Sequence, residues 1–122
     1  MEEKTIWETI VEELQESGIN TFPPATKKGD CVEEYIVVKK EGGSQIGNFS
    51  SEVHYYSILL YVPQNKYQDL ERLKNRVKKI MDEKLYPTLM PTGLEQPDFF
   101  DDSIKAHMGT LQYRASVKVK HL

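Results

Sequence analysis

The amino-acid sequence predicts a single α+β domain over residues 1–122, in which two helices pack in two layers on a mainly antiparallel four-stranded sheet. Two segments carry apolar residues at helical spacing, the last segment alternates apolar and polar residues, and 122 residues is close to the usual size of one domain. The predicted element order is α-β-β-α-β-β. Amphipathic helices and a one-sided sheet can bury their apolar surfaces only against each other.

The first predicted helix covers residues 4–17. Ile6, Ile10 and Leu14 recur there at helical spacing, and Gly18 is typical of a residue that ends a helix. Residues 2–17 contain six glutamates and one lysine, which makes the outer face of this helix acidic. The helix is therefore expected to bury one stripe and to present carboxylates on the other side.

Two strands are predicted next, over residues 31–40 and 53–62, because both segments are rich in β-branched and aromatic residues. Residues 53–62 are apolar on both faces, so we place this strand centrally in the sheet. Residues 21–30 cannot form a helix, because they contain two adjacent prolines that lack backbone N–H donors. The connection at 41–52 is rich in glycine and serine, and we expect it to be a projecting, flexible loop.

The second predicted helix covers residues 66–84 and carries an apolar stripe opposite several basic residues. Residues 85–92 contain two prolines, so any strand there should lie at an edge of the sheet. Residues 93–104 are expected to form an acidic, aromatic loop. Residues 106–120 alternate over their whole length, which predicts a long strand buried on one face.

Sequence motifs for catalysis are weak. The glycines lack the pattern of a phosphate-binding loop, and the chain has no nucleophile elbow. Cys31 and His54 could form a nucleophilic pair only if the fold joined them, and a buried structural cysteine is the commoner case. The best metal-ligating candidates are three acids and a histidine, Asp98, Asp101, Asp102 and His107. They lack the glycine and terminal glutamate of a calcium loop, so a solvated loop is the ordinary interpretation. We expect no enzymatic activity, cofactor or metal.

The charge pattern is more informative. Sixteen basic and nineteen acidic residues give a net charge of −3, so no global positive field attracts nucleic acid. Arg72, Arg76 and Lys79 form a basic stripe on the second helix, but acids are interleaved with it, which disfavours direct nucleic-acid binding. The acidic first helix and the basic second helix suit head-to-tail contact between identical subunits. Pairing of the two helices within one chain is the competing interpretation.

Apolar residues in polar loops either pack back on the core or anchor a partner. Both interpretations stay open for the apolar residues at 41–52 and at 93–104. Together with the basic stripe and a neighbouring glutamine, they make up the candidate interface residues Gln45, Ile46, Phe49, Arg72, Arg76, Lys79, Phe99 and Phe100.

Nearly the whole chain resembles one protein family. An amphipathic helix is followed by a proline-containing segment, a strand ending YIVVKKEGG, a long connection, the strand YYSILLYVPQN, a helix and the alternating strand HMGTLQYRASVKVK. This order of elements and the residue pattern of its strands resemble those of the small tail-terminator and head–tail joining proteins of long-tailed bacteriophages and prophage tail elements.

The resemblance implies a structural, non-catalytic protein. Its members form rings, commonly hexamers, that cap the tail tube, stop its polymerisation and offer the surface to which the filled head attaches. The implied partners are other copies of the chain, the tail-tube protein and head connector proteins, with DNA only as passing cargo. Location would be the bacterial host cytoplasm during assembly and the virion afterwards. The connection at 41–52 would be the arm that reaches a neighbour.

Two alternatives remain. A head-completion or connector-joining subunit has the same element order. A small ligand-binding or regulatory α+β domain would instead use a pocket between sheet and helices, with four tyrosines as candidate lining residues, Tyr35, Tyr55, Tyr56 and Tyr61. No apolar run approaches the roughly 18 residues of a membrane helix, so we expect no membrane partner.

Overall fold

The computed structural model describes residues 4–46, 51–94 and 96–118. Two helices and six strands occur in these ranges. In chain order they are α1 (Ile6–Glu16), β1 (Thr21–Phe22), β2 (Tyr35–Ile46), β3 (Ser51–Pro63), α2 (Gln68–Lys84), β4 (Met90–Pro91), β5 (Phe99–Asp101) and β6 (Ala106–Lys118).

The strands form one mixed sheet in the order β1-β2-β3-β6-β4, with β5 also paired to β6. β1 runs parallel to β2, and the other pairs are antiparallel. The prediction of a four-stranded sheet with the order α-β-β-α-β-β was therefore wrong. β1, β4 and β5 are two or three residues long, too short to show a periodicity, and their pairing depends on long strands elsewhere in the chain.

The expected loop at 41–52 was also wrong for most of its length, because residues 41–46 belong to β2 and residues 51–52 to β3. The β2–β3 register shifts between Lys40 and Gly42, and Gly42 has a φ of +104°. The glycines thus mark a β-bulge inside a strand. The remaining residues of the predicted arm, 47–50, lie outside the described residues.

Both helices cover the same face of the sheet. The side chain of Thr5 accepts a hydrogen bond from the backbone N–H of Glu8, as part of a capping box that starts α1. Trp7 Nε1 then donates to the carbonyl of Val38 at 2.7 Å and fixes α1 on β2. The apolar stripes of the two helices meet alternate residues of β2, β3 and β6 in one large core.

The opposite face of the sheet has a smaller apolar cluster at one end only. Cys31, Tyr35, Val37 and Ala106 are buried there. The backbone N–H of Cys31 donates to the carbonyl of Ile104 at 2.7 Å, which holds the segment before β2 across this face. The predicted burial alternation of the last strand is confirmed over residues 113–116, where Tyr113 and Ala115 point into the large core and Arg114 and Ser116 are exposed. It is not seen over residues 110–112, all of which are half-buried.

Candidate functional site

Three of the predicted interface residues cannot be placed in a site. Phe49 lies outside the described residues, and Gln45 and Ile46 belong to β2 but have side chains outside the description. Their role in an interface stays a prediction.

The basic stripe lies on the outer side of α2 and contacts the protein's own helices. Arg72 Nη1 donates to Asp69 Oδ1 at 2.9 Å within the first turns of α2. Arg76 Nη2 donates to the carbonyl of Ser17 at 2.8 Å, at the end of α1. The two helices of one chain therefore contact each other through this hydrogen bond, as the competing interpretation expected. Lys79 is exposed.

We expect Arg76→Ala to lower the free energy of unfolding of the isolated subunit by less than about 1 kcal/mol, because the guanidinium stays exposed while it caps α1. Urea unfolding of Arg76→Ala beside Arg76→Lys measures this, since lysine keeps the charge near the last carbonyls of α1. If Arg76 also lies at a subunit contact, assembly should weaken while the unfolding midpoint barely moves. Equal losses in both would contradict an interface role.

The two phenylalanines of β5 form an aromatic projection, a name used below for Phe99 and Phe100. Phe99 is 52% exposed and Phe100 is 38% exposed. Strand pairing sets them opposite Met108 and His107, respectively, and the Phe100 ring lies 5.0 Å from the His107 ring. Neither phenylalanine joins a buried cluster. Phe99 and Phe100 therefore do not pack back on the core, which was one of the two interpretations.

The acids around the aromatic projection are engaged by donors of the same chain. Asp98 accepts from Lys74 and from Tyr67, Asp101 Oδ1 accepts from the backbone N–H of Ser103 at 3.0 Å, and Asp102 pairs with Lys105 at 2.8 Å. Within the described part of the chain, no group of three or more histidine, cysteine or acidic residues is arranged to hold a metal ion.

The Cys31–His54 pair is not formed. Cys31 Sγ donates to the carbonyl of Glu33 at 3.3 Å, and His54 Nε2 lies 2.8 Å from Glu52 Oε2. Burial raises the pKa of the Cys31 thiol, which keeps it in the less nucleophilic protonated form. This arrangement is that of a structural cysteine.

A cleft of about 640 Å³, named the α2 cleft below, opens between the C-terminal half of α2, residues 86–94 and β6. Its floor is apolar and consists of Met81, Leu89, Leu111 and Tyr113. A volume of this size lies within the range of 300–1,000 Å³ typical of binding sites. The cleft is therefore large enough to hold a small ligand or an inserted side chain of a partner.

The mouth of the α2 cleft is both apolar and charged. Tyr86 and Leu94 stand at it with about half of their surface exposed, and Lys78, Lys79 and Asp82 line it from α2. The two lysines and one carboxylate leave the mouth net positive. Lys79, a predicted interface residue, thus borders a surface suited to an apolar group accompanied by negative charge.

The hydroxyl of Tyr113 is a polar group in the lining of the α2 cleft. Burial raises the pKa of Tyr113 to about 12, and the nearby carboxylate of Asp82 adds to the rise. The hydroxyl therefore stays protonated at neutral pH and keeps its ability to donate a hydrogen bond.

The four tyrosines proposed for a ligand pocket do not share one. The rings of Tyr35 and Tyr61 stack at 4.8 Å on the face opposite the helices, whereas Tyr56 is part of the large core under the helices. Tyr55 immediately precedes Tyr56 on β3, and because side chains alternate along a strand it points away from the helices. Sequence reasoning missed the α2 cleft, whose signal was the placement of Tyr86 and Leu94 in a short stretch interrupted by prolines.

Comparison with known proteins adds no family. A scan of protein-family models and a search of curated proteins both find no match to the chain. In the described residues, no helix is long and apolar enough to cross a membrane.

Proposed function

We propose that this protein is a structural subunit of a phage or prophage tail, which assembles as a ring on the end of the tail tube and joins the tail to the head. The aromatic projection carries the proposal, because Phe99 is about half exposed and Phe100 more than a third exposed on a short edge strand. The family resemblance of the sequence supports the particular role of a tail terminator.

The physical argument rests on the cost of exposed aromatic surface. A phenylalanine buries roughly 150–250 Å² when fully packed, at about 25 cal/mol per Å². Two adjacent, half-exposed rings forgo part of that free energy in the isolated chain and recover it on a partner. Aromatic residues that enter a partner's pocket are the usual anchors of protein interfaces.

The charge of the chain fits the passage of DNA through a ring. Phosphate contacts by lysine and arginine dominate nucleic-acid affinity, so a lumen that DNA must traverse should avoid strong positive patches. The net charge of −3 and the acids interleaved with the basic stripe are in keeping with this requirement.

Tube capping tests the proposal. We expect wild-type protein, incubated with the tail-tube protein of the same phage or prophage, to assemble on tube ends and stop further growth, as seen by negative-stain electron microscopy and light scattering. Phe99→Ser/Phe100→Ser should lose this activity and keep its circular dichroism spectrum. Val32→Ser is the matched control, because Val32 is 77% exposed and lies outside the aromatic projection.

The outcomes separate the candidate roles. Wild-type protein that neither self-associates nor affects tubes would overturn the proposal. Binding to an isolated head connector without binding to tubes would assign the chain to the connector-joining role instead. Equal loss of capping in the Val32→Ser control would show that the aromatic projection has no special part.

A further inference from the structure

We propose that the α2 cleft binds a small organic carboxylate whose body is apolar, either an acyl chain or an aryl group. This inference goes beyond the proposed function, because it requires neither a ring nor a tail tube. The cleft has one charged wall on α2, one apolar wall on residues 86–94, and a buried tyrosine in its floor. Each of these parts selects one part of the ligand.

The apolar wall selects the body of the ligand. Leu89 is buried in this wall, whereas Tyr86 and Leu94 keep 52% and 56% of their surface exposed. A molecule that lies along the wall would remove this apolar surface from water, at about 25 cal/mol per Å². An acyl or aryl body therefore gains free energy in the cleft, and a fully polar molecule does not.

Hydrogen bonds hold the apolar wall in place. The backbone N–H of Thr92 donates to the carbonyl of Gln112 at 3.1 Å, and Thr92 Oγ1 donates to Gln112 Oε1 at 3.0 Å. The backbone N–H of Leu94 donates in turn to Thr92 Oγ1 at 3.3 Å. These bonds tie residues 92–94 to β6 without a ligand. Binding therefore requires little ordering of the wall, which lowers the free-energy cost of association.

The charged wall selects the carboxylate. Lys78 and Lys79 are exposed, line the cleft and make no ion pair within the described ranges. Asp82 lies on the same wall, so its net charge is one positive unit. A ligand with a single negative charge is complementary to this wall. A second carboxylate at the far end of the ligand would lie against the apolar wall and lose its hydration.

The floor supplies a hydrogen-bond donor. Tyr113 is only 4% exposed, and within the described ranges no residue forms a hydrogen bond with its hydroxyl. The hydroxyl stays protonated at neutral pH, because burial and the carboxylate of Asp82 raise its pKa to about 12. A buried donor is costly to leave without a partner, so a carboxylate oxygen that accepts from Tyr113 is favoured at this place.

Two carboxylates serve as probes in isothermal titration calorimetry with the purified chain. Decanoate, below its micelle-forming concentration, presents an acyl body, and biphenyl-4-carboxylate presents an aryl body. We expect at least one of them to bind with one molecule per chain. Decyltrimethylammonium, which reverses the charge, and decanedioate, which adds a second carboxylate, should bind at least about tenfold more weakly than decanoate if the acyl body is preferred. The trimethylammonium and dicarboxylate derivatives of biphenyl are the matched controls if the aryl body is preferred.

Three variants place the binding in the α2 cleft. Lys78→Glu/Lys79→Glu should weaken carboxylate binding at least about tenfold, whereas Lys28→Glu/Lys66→Glu, with two exposed lysines outside the cleft, should leave it unchanged. Tyr113→Phe keeps the ring and removes only the hydroxyl, so we expect binding to weaken about three- to tenfold. Circular dichroism and thermal unfolding of the free variants verify that each of them folds.

The other outcomes overturn the inference. Absence of binding by both carboxylates would show that the cleft does not take this class of ligand. Equal binding of the carboxylate and its matched ammonium would show that the charged wall has no part. Equal affinities of Lys78→Glu/Lys79→Glu and Lys28→Glu/Lys66→Glu would place the binding elsewhere. If neither carboxylate binds and Lys78→Glu/Lys79→Glu alone fails to cap tubes, the cleft belongs to a protein partner, and the proposed function stands without this inference.

Discussion

Leu73→Ala is expected to lower the free energy of unfolding by about 2–4 kcal/mol, the range found for leucine-to-alanine changes in cores. Leu73 lies on the buried stripe of α2 and is only 3% exposed. Its neighbours on the stripe, Leu70 and Val77, sit under the same helix and against the sheet. The other buried residues of α2 keep the helix on the sheet, so the backbone can close only part of the space left behind.

Urea unfolding followed by circular dichroism measures this loss. Leu94→Ala is the matched control, since Leu94 is 56% exposed and its truncation should cost less than about 0.5 kcal/mol in the isolated subunit. A loss from Leu73→Ala no larger than that of the control would contradict the packing of α2 on the sheet.

The helices could be predicted because a single side-chain stripe reveals them. Trp7 and Leu14 belong to the stripe of α1 without any knowledge of its neighbours, and the structure packs both against the sheet. The alternation of β6 is equally local. The short strands could not be predicted in this way, because the pairing of Met90 with Arg114, for example, joins segments that lie far apart in the chain and leaves no local pattern.

Part of the candidate site could likewise be predicted from the sequence, and part could not. Phe99 and Phe100 were visible as phenylalanines in an acidic loop, and their exposure keeps the anchor interpretation. The α2 cleft was not visible, because three separate segments form it and none has a distinctive pattern. Arg76 shows the converse: its place on a basic stripe suggested a partner, and the fold supplies a carbonyl of the same chain, that of Ser17.

Glycine-rich sequence led to the largest error, the predicted loop at 41–52, and one of its glycines provides the sharpest test of the observed strand. Gly43→Ala is expected to lower the free energy of unfolding by about 1–3 kcal/mol, as overpacking does. A Cβ at this position would lie 2.5 Å from the carbonyl oxygen of Val53 on β3. The clash is with backbone, so β2 and β3 must separate locally to relieve it.

The sign of the change distinguishes strand from loop. The φ of Gly43 is outside the left-handed range, so alanine has no conformational penalty there. In an open loop, Gly43→Ala would therefore be neutral or stabilising by up to about 1 kcal/mol, because it restricts the unfolded chain. A measured gain would contradict the paired ribbon. Gly29→Ala is the comparison: its Cβ meets open space, but its φ of +84° imposes a backbone cost. Only Gly43→Ala should speed amide hydrogen exchange at the pairing of β2 with β3.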